Sequence, residues 1–297
     1  MLDVLLGAIS LGLLWAVMTI GVYITYRILD IADLTVEGSI AMGAAIAAKA
    51  ITEGINPFAA TALALIGGLA AGLVTGLLHT KLKIPALLSG ILTMIALYSV
   101  NLHIMGKANI SLLRMDTVYT PLTKLGITSN NSIIILGFIC VAAIVGILYW
   151  FFGTELGSAI RATGNNPKMV RAQGINTNVM KIIGLIISNG LVAVSGALIA
   201  QSQGFSDVQM GTGSIVIGLA SVIIGEVLYG RKSFFSKLLS LVLGAITYRI
   251  IIAFVLYWGM PANDLKLFTA ITVAIALALP VFKAYIHPTK ISIKEGE

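Results

Sequence analysis

An all-α, polytopic membrane bundle of about nine spans, built as an inverted-topology repeat with short broken helices, is the fold class the sequence predicts. Composition is the first reason. Hydrophobic residues make up 58% of the 297 and charged residues only 10%, against about 25% charged in a soluble domain. Mean hydropathy is +1.00. Such a chain cannot cover itself with polar surface, so the bilayer must be its solvent. Spacing is the second reason. A span needs roughly 20 apolar residues, and apolar segments recur at 4–26, 34–52, 57–78, 84–105, 131–152, 179–202, 213–229, 238–258 and 264–282. The third is an internal echo. GSIAMGAA from Gly38 lines up with GSIVIGLA from Gly213 at a spacing of 175, and Gly68/Gly244 and Pro85/Pro261 follow at 176. The whole chain, 1–297, reads as one transmembrane domain.

Each element has its own argument. Segment 4–26 lacks a basic leader and outruns a signal h-region of about 7–15 residues, so it is expected to stay as a span. Segments 34–52 and 213–229 are short and open with glycine and polar residues. They are the expected broken or re-entrant helices, because irregular backbone at membrane depth survives only when buried in protein or lining a cavity. Gly67, Gly68, Gly72 and Gly76 in the third segment suit close helix packing in lipid. The lone Cys140 lies in an apolar run, which excludes disulfides, and His79, His103 and His287 are too far apart for a metal cluster. No cofactor or metal is expected. The net charge of +7 needs no nucleic acid, since membrane proteins concentrate Lys and Arg on one side.

Orientation follows from that bias. With the 153–178 loop in the cytoplasm, 13 basic residues fall on its side and 5 on the other. The N-terminus is then outside, the C-terminus inside, and the 106–130 loop external. Segments one to four pair with six to nine, and the odd fifth span inverts the second set. Such repeats commonly place their sites at discontinuous helices near the repeat interface. Path candidates are therefore Glu37, Ser39, Asn189 and Ser214, with Arg249 as a charge inside a span. Several have bland alternatives. Glu37 suits a plain cap on its own helix, since a carboxylate is favourable at a helix N-terminus. Asn189, like Ser188, suits interhelical hydrogen bonding. Arg249 either meets a carboxylate or helix C-terminal carbonyls.

The polar island between spans five and six, GTELGSAIRATGNNPKMVRAQGINTN over 153–178, parses as two short helices. The first runs from about Glu155 to Thr163 and stops at Gly164. Asn166 then caps a second helix with Pro167 at its first position, ending at Gly174. A helix of about seven residues is marginal alone in water, so it needs a surface to dock on.

From Gly157 through Pro167, and on through Arg171 to Asn176, this run resembles the coupling loop of ABC importer permeases. The branch is the one serving branched-chain amino acids, ribose-type sugars and nucleosides. The glycine-rich stretch Gly211–Gly225 is similar to the segment that follows the family's external loop. Within the branch, the chain looks closest to the amino-acid-linked group with lipoprotein binding partners. The resemblance implies a bacterial cytoplasmic-membrane permease that contacts a cytoplasmic ATPase through Arg161, Gly164, Asn165, Asn166, Pro167, Lys168, Arg171, Gly174 and Ile175. It also implies a second permease copy, an extracytoplasmic solute-binding protein and a surround of membrane lipids. Gly230-Arg231-Lys232-Ser233 lacks the glycine spacing of a phosphate-binding loop, so this chain is not expected to be an enzyme. Rival readings are an ion-coupled secondary transporter, which would need acidic residues at membrane depth, or an importer permease for sugars or nucleosides.

Overall fold

In the computed structural model, the described residues are 2–230, 233–259, 264, 267–275 and 278. The long helices are α1 (Leu2–Tyr23), extended by one π-helical turn over Ile24–Ile28, then α3 (Pro57–Thr80), α4 (Ala86–Met105), α6 (Ser129–Gly153), α9 (Thr177–Gln203) and α11 (Phe234–Tyr257). Among the described residues these six are long and apolar enough to cross a membrane. Two further apolar helices are shorter, α2 (Thr35–Thr52) and α10 (Ser214–Tyr229). At 1.5 Å per residue they reach about 27 Å and about 24 Å, less than the roughly 30 Å hydrocarbon core. These are the two segments expected to be broken. Every expected segment up to 238–258 thus coincides with a helix. The ninth, 264–282, lies largely outside the described residues.

Packing relates the two halves. α1 lies on α11 and α9 on α3; α2 lies on α3 and α10 on α11; α1 and α9 pack on each other. Exchanging α1 with α9, α2 with α10 and α3 with α11 returns the same set of contacts. The α3–α9 approach is close because of glycine. A Cβ on Gly68 would collide with the Asn189 carbonyl, and one on Gly72 with the Leu185 carbonyl. The third-segment glycines therefore act in packing, as expected.

Two strands were not expected. β1 (Asn109–Ser111) and β2 (Phe205–Asp207) pair antiparallel with Ile110 opposite Ser206. Three residues are too few for a readable alternation. Their backbone groups nevertheless need partners outside helices, and each strand supplies the other's. The ribbon ties the 106–130 loop, which also holds α5 (Thr120–Lys124), to the end of α9.

Candidate functional site

The coupling-type loop forms α7 (Glu155–Asn165) and α8 (Pro167–Ala172). Thr154 opens α7 by accepting from the Gly157 N–H at 3.3 Å. Gly157, Ile160 and Thr163 are buried, while Arg161 is exposed over the Phe234 ring, 5.3 Å from its centroid. Gly164 does not stop the helix, as the sequence suggested. The helix runs one residue further, and Gly164 instead lets α7 touch the end of α1: any Cβ there would collide with the Ile28 carbonyl. Asn166 caps α8 through the Met169 N–H at 3.1 Å, with Pro167 in the first turn. Gly174 has φ +84°, a conformation that a Cβ opposes. Behind it the Ile175 N–H donates to the Val170 carbonyl. Val170 is buried and Ile175 packs on the core, whereas Asn165, Asn166, Lys168, Met169 and Arg171 face outward. The two short helices thus dock through one face and leave a basic face free.

The second region lies where the short helices begin. Residues 29–34 between the π turn and α2 are irregular, with Asp30 at φ +56°. Asp33 is 1% exposed. Its Oδ1 accepts from the Thr35 N–H at 2.9 Å and its Oδ2 from Asn189 Nδ2 at 2.8 Å. Asn189 Oδ1 in turn accepts from the Ser39 hydroxyl at 2.6 Å. Thr35 and Thr75 share a 2.7 Å hydroxyl contact beside it. Ser39 and Asn189, both named from sequence, therefore meet, 150 positions apart, and Asn189 joins them to a third residue that sequence reasoning missed. The available signal was an acid placed directly before a short apolar segment.

Glu37 does not cap its own helix. Its Oε1 accepts from the Gly213 N–H at 3.0 Å, at the N-terminus of α10. Gly213 takes φ +80° to make that turn. The carboxylate thus complements the positive end of the opposite half-helix. It also lines a cleft of about 480 Å³ between α2, α4 and the stretch before α10. Ser214 is buried with its hydroxyl unpartnered, and neither it nor Ser39 lines that cleft. The sequence placed a backbone break beside each serine. It holds at Gly213 only; Gly38 lies inside α2, and the first break comes earlier, at 29–34.

Arg249 stands apart from all of these. Among the described residues it meets no carboxylate; its guanidinium stacks 4.1 Å from the Trp15 ring centroid, joining α11 to α1. A cation over an indole face is the favourable alternative to an ion pair. Glu226 pairs with Arg27 at 3.2 Å, tying the π turn after α1 to α10.

Residues 4–279 match the family model described as branched-chain amino acid transport system / permease component. The chain is 43% identical over 274 residues to the tyrosine transport system permease protein of Clostridioides difficile (strain R20291), covering 92% of this chain and 90% of that one. It is 29% identical over 198 residues to the ribose import permease protein RbsC of Escherichia coli (strain K12), covering 62% and 56%. Its fold is similar to that of PsaBC from Streptococcus pneumoniae in complex with Fab, with a TM-score of 0.53 at 16% identity over 93% of this chain and 90% of that one. With the helical bundle and these matches together, the chain belongs to the permease-component family of branched-chain amino acid transport systems, the multi-pass membrane subunits of ABC importers.

Proposed function

We infer that this permease carries an amino acid, branched or aromatic, inward along a path formed by two copies of the chain. A cytoplasmic ATPase drives it from the 153–178 side, and an extracytoplasmic lipoprotein delivers the solute to the opposite face. The likeness to a tyrosine transport permease supports the amino-acid reading. The chain crosses the membrane nine times with the N-terminus outside and the C-terminus in the cytoplasm. Its halves form an inverted repeat, which the exchange of helix contacts supports. The single observation that carries the coupling role is the pair α7–α8. One face is locked to the body through Gly164 and Val170, and Lys168, Met169 and Arg171 are presented on the other.

The ion-coupled rival needs a buried acid, and Asp33 is one. Its hydrogen bonds all run to fixed neutral protein groups, however, and the family match favours the importer. The test is purification from the native membrane. Wild type should bring a soluble ATPase with it. Lys168→Glu combined with Arg171→Glu should yield folded permease without the ATPase, because only the exposed face changes. Recovery of wild type with no nucleotide-binding subunit would sink the reading.

A further inference from the structure

We propose that the cleft between α2 and α4 is a weak recognition site for the ammonium group of the solute, with Glu37 and Asn101 as its acceptors. The inference rests on the amino-acid importer reading and names the place in the permease that would hold the solute's ammonium group. Three observations lead there. At about 480 Å³, the cleft lies within the roughly 300–1,000 Å³ range of small-molecule pockets. Glu37 lines it with a carboxylate whose Oε1 is held by the Gly213 N–H. Its other oxygen has no partner among the described residues, and no cation pairs with it there. Asn101, also in the lining, is 0% exposed. Its Nδ2 donates to the Gly38 carbonyl at 3.3 Å, which fixes the amide orientation, and its Oδ1 is left buried without a partner.

A buried amide oxygen without a donor costs free energy of the order of a lost hydrogen bond. A ligand bearing N–H groups would recover it. Both acceptors line the same cleft, and Asn101 is tied to Gly38, the residue after Glu37. A carboxylate beside a bare carbonyl-type oxygen selects a cationic donor over a neutral hydroxyl, since charge-assisted hydrogen bonds are about twice as strong. It also repels a solute carboxylate, so a zwitterion enters ammonium first. Tyr98 and Met94 supply soft, apolar wall for the side chain. One charge-assisted contact is enough to orient a solute and too little to trap it, as a permease requires.

The test uses the intact importer, purified with its ATPase and without its binding protein. The probes are L-tyrosine and 3-(4-hydroxyphenyl)propionate, which keeps the ring and carboxylate and lacks the ammonium. Saturation-transfer NMR should show wild type engaging L-tyrosine and not the deaminated acid. Glu37→Gln keeps an oxygen for the Gly213 N–H, so the fold is retained while the charge is lost. It should weaken the L-tyrosine signal by about tenfold or more and reduce uptake in reconstituted vesicles by a similar factor. Asn101→Leu should give a smaller loss, and Phe138→Ala, on the exposed side of α6, none. Equal L-tyrosine signals in wild type and Glu37→Gln would overturn the proposal. So would equal engagement of the deaminated acid. An importer that moves D-ribose and does not engage L-tyrosine would overturn the site and leave the importer reading standing.

Discussion

Asp33 accepts two hydrogen bonds, Asn189 relays between it and Ser39, and the donors and acceptors run in one direction. That direction yields a sharp prediction. Asp33→Asn sets its new amide against Asn189 Nδ2, donor against donor, and leaves buried groups unsatisfied, at a cost of about 1–3 kcal/mol. Adding Asn189→Asp reverses the bond between positions 33 and 189, and gives up the one that Asn189 Nδ2 donates to the Leu185 carbonyl at 3.0 Å. The carboxylate now at position 189 accepts from Ser39 and from the amide at position 33, and that amide keeps its oxygen for the Thr35 N–H. Thermal unfolding in detergent should show a drop for the single variant and recovery of part of it in the double. An additive pair would mean that the two residues are not coupled in the folded protein. The sequence could name Ser39 and Asn189 because polar residues inside apolar runs stand out. It could not join them, since their partnership spans 150 positions. Asn101 carried the same signal in the fourth segment and was passed over.

At the scale of elements, the loop was legible and the breaks were only half so. Asn166, Pro167 and Gly174 act locally, so their spacing alone delimits α8. Gly164 looked the same in sequence, yet it is a contact residue whose partner, Ile28, belongs to another helix. The two glycines therefore predict different failures. Gly174→Asn should be tolerated, because Asn adopts positive φ more readily than other side chains. Gly164→Val, or even Gly164→Ala, should push α7 away from the end of α1, because the Ile28 carbonyl is backbone and cannot turn aside. If α7 passes ATPase motion to α1 through that contact, Gly164→Ala should keep ATP hydrolysis and lose most uptake. Uptake and hydrolysis measured together in vesicles decide it; parallel retention of both would remove the contact from the coupling route.

For the molecule as a whole, two independent lines bear on how the chain is threaded. One is charge: 13 basic residues against 5 when the 153–178 loop is cytoplasmic, the asymmetry that orients membrane proteins. The other is packing. The contacts of α1 to α3 are exchanged with those of α9 to α11, and α6 stands between the sets without a counterpart. α4 lies between them as well, so α1, α2, α3, α4 and α6 precede α9; if each crosses once, five crossings insert the two sets in opposite senses. The Glu37–Gly213 bond joins the starts of the two short helices of the two sets. Threading therefore places Lys168, on α8, and Asp116, in the loop before α5, on opposite sides of the membrane. Both are exposed, so each can report its side. In a Cys140→Ser background, cysteine at 168 should react with an impermeant thiol reagent only when the cytoplasmic face is open. Cysteine at 116 should react from the outer face of sealed cells. If both react from one face, the 106–130 and 153–178 loops share a side, α6 does not cross, and the opposite insertion of the two halves fails with it.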